Sequence, residues 1–274
     1  MTREEFILLR DFICEKTGIF FSENKAYLLQ NRISGRLRVL NIGTIGEYYN
    51  LLRHGGKRAR EELLELFCVV TTNETSFFRN AAQLDALREI LKERLGNGKS
   101  PFLRVWSAAC STGEEPYTIA ILIMEVMEEI GRKIPFLVYG TDINVRALES
   151  AKKGVYSPYS LRNVDHGLKE KYFKKTGGAY QVKEELKCFV KIEFSNLVEP
   201  QEYAKYRNMD IIFCRNVLIY FTDDMKKKVV RHLYECLNPE GYLILGHAEI
   251  LHNIAPIFKP IIFPGAIVYK KGGV

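Results

Sequence analysis

Between Ser107 and Gly113 every side chain is small, and two carboxylates, Glu114 and Glu115, come directly after. Small side chains let a ligand approach the backbone closely, and Gly113 allows a conformation that other residues resist. Neither a dinucleotide-binding GxGxxG nor a P-loop pattern is present, which disfavours both kinds of nucleotide site. The acidic pair would repel a phosphate, so a ligand with a cationic end fits better. Asp142 follows a second apolar run, Ile134 to Gly140. A carboxylate there can accept two ribose hydroxyl protons at once, and a helix-capping aspartate fits the position equally well. The polar run Thr71 to Asn80 encloses Phe77-Phe78-Arg79, which can pin a segment to a core while a guanidinium faces something anionic. Its plainer reading is a linker leading into the next helix. His247 and His252 bracket Glu249, but histidines five apart do not share one helical face, so the zinc-peptidase pattern fails and no metal is expected. The six cysteines (14, 68, 110, 188, 214, 236) show no CxxC and no metal-ligand spacing, and read as reduced thiols of a cytosol.

These residues need elements to hold them. Phe102 to Trp106 is a β-leaning run, and Pro116 suits the first turn of a helix whose apolar positions recur from Tyr117 to Ile130. The loop therefore joins a strand to a helix, the place where ligands sit in an open α/β sheet. Upstream, residues 1 to about 80 read as helical. A first helix stops at Gly18, and Ser22 is expected to cap a second that runs to about Leu40. On that helix an apolar line (Leu29, Ile33, Leu37, Leu40) lies beside a basic line (Lys25, Arg32, Arg36), with Arg38 nearby. The basic line suits a solvated face and a docking surface equally well. Further helices are expected over Thr44 to Leu52, Lys57 to Val69 and Ala81 to Leu95.

After Gly96-Asn-Gly98 strand and helix patterns alternate, the signature of a parallel sheet covered by helices. Asn144 opens a helix ending near Gly154. Residues 155 to 190 interrupt the rhythm, and alternation in Ala179 to Val182 and Cys188 to Ile192 predicts an inserted antiparallel hairpin. Strands resume at Lys191 to Phe194, Met209 to Cys214 and Gly241 to Gly246. A helix spans Asp223 to Leu237, with Asn238 to Gly241 as its stop, and Ile261 to Phe263 with Ala266 to Lys270 forms a closing hairpin. The chain of 274 residues carries a net charge of +7, which favours an acidic partner without naming its class. No apolar run is long enough to cross a bilayer, and the N-terminus shows no signal-peptide run.

Four stretches together resemble the chemotaxis receptor methyltransferases, the CheR family. They are Thr72-Asn-Glu-Thr-Ser-Phe-Phe-Arg79, Trp106-Ser-Ala-Ala-Cys-Ser-Thr-Gly-Glu-Glu-Pro-Tyr117, Gly140-Thr-Asp-Ile-Asn144 and Ile212-Phe-Cys-Arg-Asn-Val-Leu-Ile-Tyr-Phe221. Their order matches, and the resemblance covers essentially the whole chain. It implies an α/β fold: a Rossmann-like methyltransferase domain dependent on S-adenosyl-L-methionine, with a small antiparallel β-subdomain inserted, preceded by an all-α domain. The expected divisions are 1–70 for the helical receptor-recognising domain, 71–95 for a linker and helix serving the cofactor site, and 96–274 for the methyltransferase domain with its insert at about 155–190.

The implied reaction moves the cofactor's methyl group to glutamate side chains on cytoplasmic receptor helices, giving methyl esters and S-adenosyl-L-homocysteine. By resemblance, Asn73, Thr75 and Arg79 contact the cofactor from the linker, Glu115 lies in its site and Asp142 holds the ribose. Asn196 and Leu197 flank the adenine, and Cys214, Arg215 and Asn216 line the pocket behind it. Arg79 and Tyr220 stand nearest the methyl group, and Arg32, Arg36 and Arg38 are candidate docking residues for an acidic receptor helix. The expected setting is a cytoplasmic monomer acting on the helical domain of chemoreceptors, with no nucleic acid and no membrane insertion. The short tip Lys174 to Ala179 implies recognition that does not depend on a receptor tail. Two rivals remain at this point: a methyltransferase for another target, such as a different helical signalling protein or nucleic acid, and a regulatory module that only binds the cofactor or its product.

Overall fold

The computed structural model describes residues 1–96, 101–251 and 257–272; Asn97, Gly98 and His252 of the sequence reading lie outside them. The first helices are α1 (Arg3–Thr17), α2 (Ala26–Leu40), α3 (Ile45–His54) and α4 (Gly56–Val70). Thr2 with Glu5, and Thr44 with Glu47, form capping boxes that satisfy the free amides at the starts of α1 and α3. Gly18, at φ 75°, turns the chain out of α1. Ser22 does not cap α2. Its hydroxyl meets the Asn24 side-chain oxygen at 2.5 Å, and a 3₁₀ turn over Glu23–Lys25 precedes the helix. Leu9, Ile13, Leu29, Ile33, Tyr48 and Leu66 close the core of this bundle.

Then follow α5 (Ala81–Gly96), β1 (Leu103–Ala108), α6 (Glu114–Glu129), β2 (Phe136–Asp142), α7 (Val145–Lys153) and β3 (Val155–Tyr156). The insert continues with α8 (His166–Tyr172), β4 (Phe173–Thr176), β5 (Ala179–Val182) and α9 (Glu184–Lys187), before β6 (Val190–Phe194) and β7 (Met209–Cys214). The chain closes with α10 (Asp223–Cys236), β8 (Leu237–Leu245), β9 (Phe258–Phe263) and β10 (Ala266–Lys271).

Among the described residues, seven strands form one sheet in the order β6-β2-β1-β7-β8-β10-β9. The first five run parallel, and β10 and β9 join antiparallel as the expected closing hairpin. The strand order reverses between β1 and β7, so a crevice opens above their carboxyl ends. One face of the sheet packs on α5, α6 and the small sheet, through Leu87, Val105, Ile119, Ile123 and Phe213. The other packs on α10, through Trp106, Ile212, Val230 and Leu233.

The insert differs from the expected pairing. Its sheet has the order β3-β5-β4, with β4 and β5 turning at Gly177-Gly178. Cys188 to Ile192 instead leads into β6, an edge strand of the large sheet paired parallel to β2. The helix stop expected at Asn238–Gly241 also shifts: α10 ends at Cys236 and β8 starts at once, with a register irregularity opposite Met209 and Ile211.

Candidate active site

After β1 the chain enters a loop where Ala109 (φ 70°), Ser111 (φ 51°) and Gly113 (φ 94°) all take left-handed conformations. A Cβ on Gly113 would lie 2.7 Å from that of Ala151 and 2.9 Å from the Tyr156 hydroxyl, so only glycine fits there. The two carboxylates that follow part ways. Glu114 is buried and accepts the Thr112 hydroxyl at 2.6 Å, outside the cavity lining, and burial pushes its carboxyl up. Glu115 faces the cavity: it accepts the Ser107 hydroxyl at 2.8 Å and the Arg215 guanidinium at 2.9 Å. Arg215 also donates to the Arg79 carbonyl at 2.8 Å. One guanidinium thus joins the helix after β1, the segment after β7 and the linker.

Asp142 ends β2. Its two oxygens accept the Ser111 amide at 2.7 Å and the Asn144 amide at 2.8 Å, so the carboxylate fixes the loop after β1. Burial pushes the Asp142 carboxyl up, opposed by the amides of Asn144, Ser111 and Ile143. A carboxylate has about four acceptor positions, so with three amides directed at it Asp142 keeps about one for a further donor. Asn144 caps α7 through the Ala147 amide and donates to Thr71, tying the linker's start to the same corner.

These groups line a cavity of about 320 Å³, at the lower end of the roughly 300–1,000 Å³ range of small-molecule pockets. Asn73, Thr75, Arg79, Glu115, Asp142, Asn196, Leu197, Arg215, Asn216 and Tyr220 all face it. Cys214 does not. As the last residue of β7 it is fully buried in the core beneath α10, and the chain turns into the cavity only at Arg215. Burial pushes the Cys214 thiol well up, which suits an inert core residue.

The basic line of α2 is also redistributed. Arg36 is committed to Glu62, with contacts of 2.9 and 2.5 Å, and to Glu65 at 3.1 Å, while the Tyr48 hydroxyl completes the buried cluster. Arg32 lines the cavity and donates to the Val70 carbonyl and, at 2.8 Å, to the Thr72 hydroxyl. Neither is presented outward for docking. Arg38 alone of the three is exposed.

The residues between α1 and α2 were missed by the sequence reading. Ile19, Phe20, Phe21 and Lys25 wall the cavity on its outer side. The Phe20 amide donates to the Tyr220 carbonyl at 2.9 Å, Ile19 bridges Phe221, and the Asn196 side chain donates to the Lys16 carbonyl at 2.8 Å. The paired phenylalanines after Gly18 were the only signal in the sequence, and paired aromatics mark packing far more often than a site wall.

The cavity suits S-adenosyl-L-methionine, which carries a sulfonium, an ammonium, a carboxylate and two ribose hydroxyls but no phosphate. Carboxylates (Glu115, Asp142) and guanidiniums (Arg79, Arg215) both face it, and among the described residues no glycine lines it as a phosphate cradle would need. The Arg215 Nε and the Ser76 hydroxyl, both on lining residues, are buried without a partner among the described residues and so stand ready for an acceptor on a ligand. No group of acidic, histidine or cysteine side chains among the described residues can hold a metal ion, and no described helix is long and apolar enough to cross a membrane.

Fold and cavity define an S-adenosyl-L-methionine-dependent methyltransferase. Residues 4–68 match the family description "CheR methyltransferase, all-alpha domain", and residues 73–264 match "CheR methyltransferase, SAM binding domain". The chain belongs to the CheR methyltransferase family. Among similar proteins, Chemotaxis protein methyltransferase 2 of Vibrio cholerae is 35% identical over 99% of this chain and 94% of its own length. Chemotaxis protein methyltransferase 2 of Pseudomonas aeruginosa is 36% identical over 98% of this chain and 93% of its own. The Chemotaxis protein methyltransferase of Borreliella burgdorferi is 33% identical, over 92% and 90%.

Proposed function

We propose that this chain is a protein-glutamate O-methyltransferase that esterifies glutamate side chains on the cytoplasmic helices of chemoreceptors. The observation that carries the reading is that Arg79 and Tyr220, from distant parts of the sequence, line one cavity with Glu115 and Asp142. When bound there, S-adenosyl-L-methionine supplies a methyl group activated by its sulfonium, which an ionised carboxylate oxygen takes while the C–S electron pair stays on sulfur. A free glutamate side chain titrates near 4.3 and is already ionised in a cytosol, so the protein has no proton to remove. Its tasks are alignment and exclusion of water, and holding two reactants in attack geometry is worth on the order of 7–11 kcal/mol.

The residues divide these tasks. Asp142 holds the ribose with its remaining acceptor capacity, and Glu115 meets the cationic amino-acid end while its bond to Arg215 keeps it oriented. Asn73 and Thr75 contact the cofactor from the linker, Asn196 and Leu197 flank the adenine, and Arg215 and Asn216 line the pocket beyond. Arg79 orients the incoming carboxylate. The Tyr220 ring sets the position of the positively charged sulfur, since a cation over an aromatic face is favoured. Phe20 and Phe21 shield the cavity from solvent. On α2, Arg38 is left to dock the acidic receptor helix.

Incubation with tritiated cofactor against receptor cytoplasmic fragments and against RNA tests the reading. Label on the receptor fragment supports it. Label on RNA alone, or cofactor binding without transfer to any protein, would replace it with one of the rival functions.

A further inference from the structure

Glu249 lies just beyond β8, far in sequence from every residue assigned to the cavity, and is buried. Its carboxylate accepts four main-chain amides: Asn216 at 2.7 Å, Gly246 at 2.8 Å, Val217 at 3.1 Å and Ile219 at 3.2 Å. Three of these belong to the segment that leaves β7 and ends at Tyr220. That segment cannot set its own shape by regular bonding. Asn216 sits at φ 58°, and a single 3₁₀ turn spans Leu218–Tyr220. An anion that gathers the amides on the inner side of such a turn fixes its path. The outer side is fixed separately, by the Phe20 amide on the Tyr220 carbonyl.

We propose that Glu249 is a positioning residue for methyl transfer: its carboxylate shapes the 216–220 turn and so holds Tyr220 against the reacting groups. The proposal rests on the assignment of Tyr220 to the methyl end of the cavity. Only a carboxylate serves here, because a glutamine would turn an amide N–H₂ against main-chain N–H donors. Arg215, one residue before the turn, is held independently by Glu115 and the Arg79 carbonyl, so that part of the cofactor site stands without Glu249, and affinity falls less than rate even though the Asn216 amide is released.

The test uses the full chain with E249Q, E249D and G246A. A Cβ at Gly246 would come within 2.7 Å of the Glu249 Oε2 and 3.1 Å of the Asn216 nitrogen, displacing the carboxylate without removing it. A misplacement of about 1 Å can cost about 100-fold in rate. E249Q is therefore expected to lower kcat by roughly 30–100-fold while the Kd for S-adenosyl-L-homocysteine, by calorimetry, changes by less than about fivefold. E249D, which keeps the charge, should recover part of kcat, and G246A should reproduce the split even where E249Q fails to fold. A kcat within about threefold of wild type in E249Q or G246A would overturn the proposal. So would parallel loss of kcat and affinity in proportion to the unfolded fraction, which is what a purely structural role gives. The wild-type chain in the same assay tests the proposed function, and the variant-to-wild-type ratio tests Glu249. Amide hydrogen exchange at residues 216–219 is read alongside; exchange unchanged in E249Q refutes the proposal even if the wild type transfers nothing.

Discussion

Replacing Asp142 by asparagine tests the ribose assignment with almost no change of shape. In the folded chain the two carboxylate oxygens hold the Ser111 and Asn144 amides, with the Ile143 amide also directed at them, which leaves about one acceptor position for a ribose hydroxyl. Asparagine offers a single oxygen, so at least one acceptor for a ribose hydroxyl is lost. A hydrogen bond to a charged group contributes about 1.5–3 kcal/mol, which corresponds to a loss of about 10–150-fold in affinity. Titration calorimetry with S-adenosyl-L-homocysteine reads this directly, and circular dichroism melting of the same sample shows whether the chain stays folded. The pH dependence gives a second reading. Because burial raises the Asp142 carboxyl, wild-type affinity should begin to fall at a higher pH than an ordinary aspartate would dictate, as protonation removes the acceptors. D142N should lack that decline. A folded D142N that binds within about threefold of wild type would take Asp142 out of the cofactor site.

Arg79→Ala should lose methyl transfer by at least about 100-fold, more than it loses cofactor affinity, because Arg215 stays anchored on Glu115 and on the Arg79 carbonyl when only the side chain is removed; near-normal turnover would remove Arg79 from the mechanism. Arg36→Ala should cost about 3 kcal/mol in denaturant titration, since it strands buried Glu62, whereas Arg38→Glu should raise the KM for receptor and leave stability and cofactor affinity alone. The reverse pattern would restore Arg36 as a docking residue. E114Q should flatten the pH dependence of stability. Burial raises the Glu114 carboxyl, so its contribution to stability is fully present below the unfolded value of a glutamate and is lost as pH rises through the raised folded value. Melting from pH 4 to 8 checks this, and identical profiles for the two chains would exclude Glu114 as a source of that dependence.

Much of the fold was legible because its pattern is local. The β1 loop and α6 stand out through small residues followed by Pro116, and Met209–Cys214 through an unbroken buried run. The insert was mispaired because alternation shows that a strand is half-buried without saying what it pairs with. Cys188–Ile192 leads into the half-buried edge strand β6, whereas β4 hides behind Lys174 and Lys175. Cys214 was misplaced by one residue of strand parity. Resemblance gave its neighbourhood, and only the pleat decides that its thiol faces the α10 core. Arg36 looked like part of a solvent face because its partners, Glu62 and Glu65, sit on another helix. Glu249 left no local trace, since all its partners are main-chain amides and the Asn216–Ile219 amides lie some thirty positions upstream.

The central claim is that this cavity delivers a methyl group to a carboxylate on a helical receptor. Peptide mapping by mass spectrometry, after reaction of the intact chain with a receptor cytoplasmic fragment and S-adenosyl-L-methionine, tests it most directly. The expected product is a gain of one methyl on glutamate residues that mild base removes as methanol, and that Arg79→Ala does not produce. A base-stable methyl group on lysine or arginine, or no modification with cofactor bound, would contradict it.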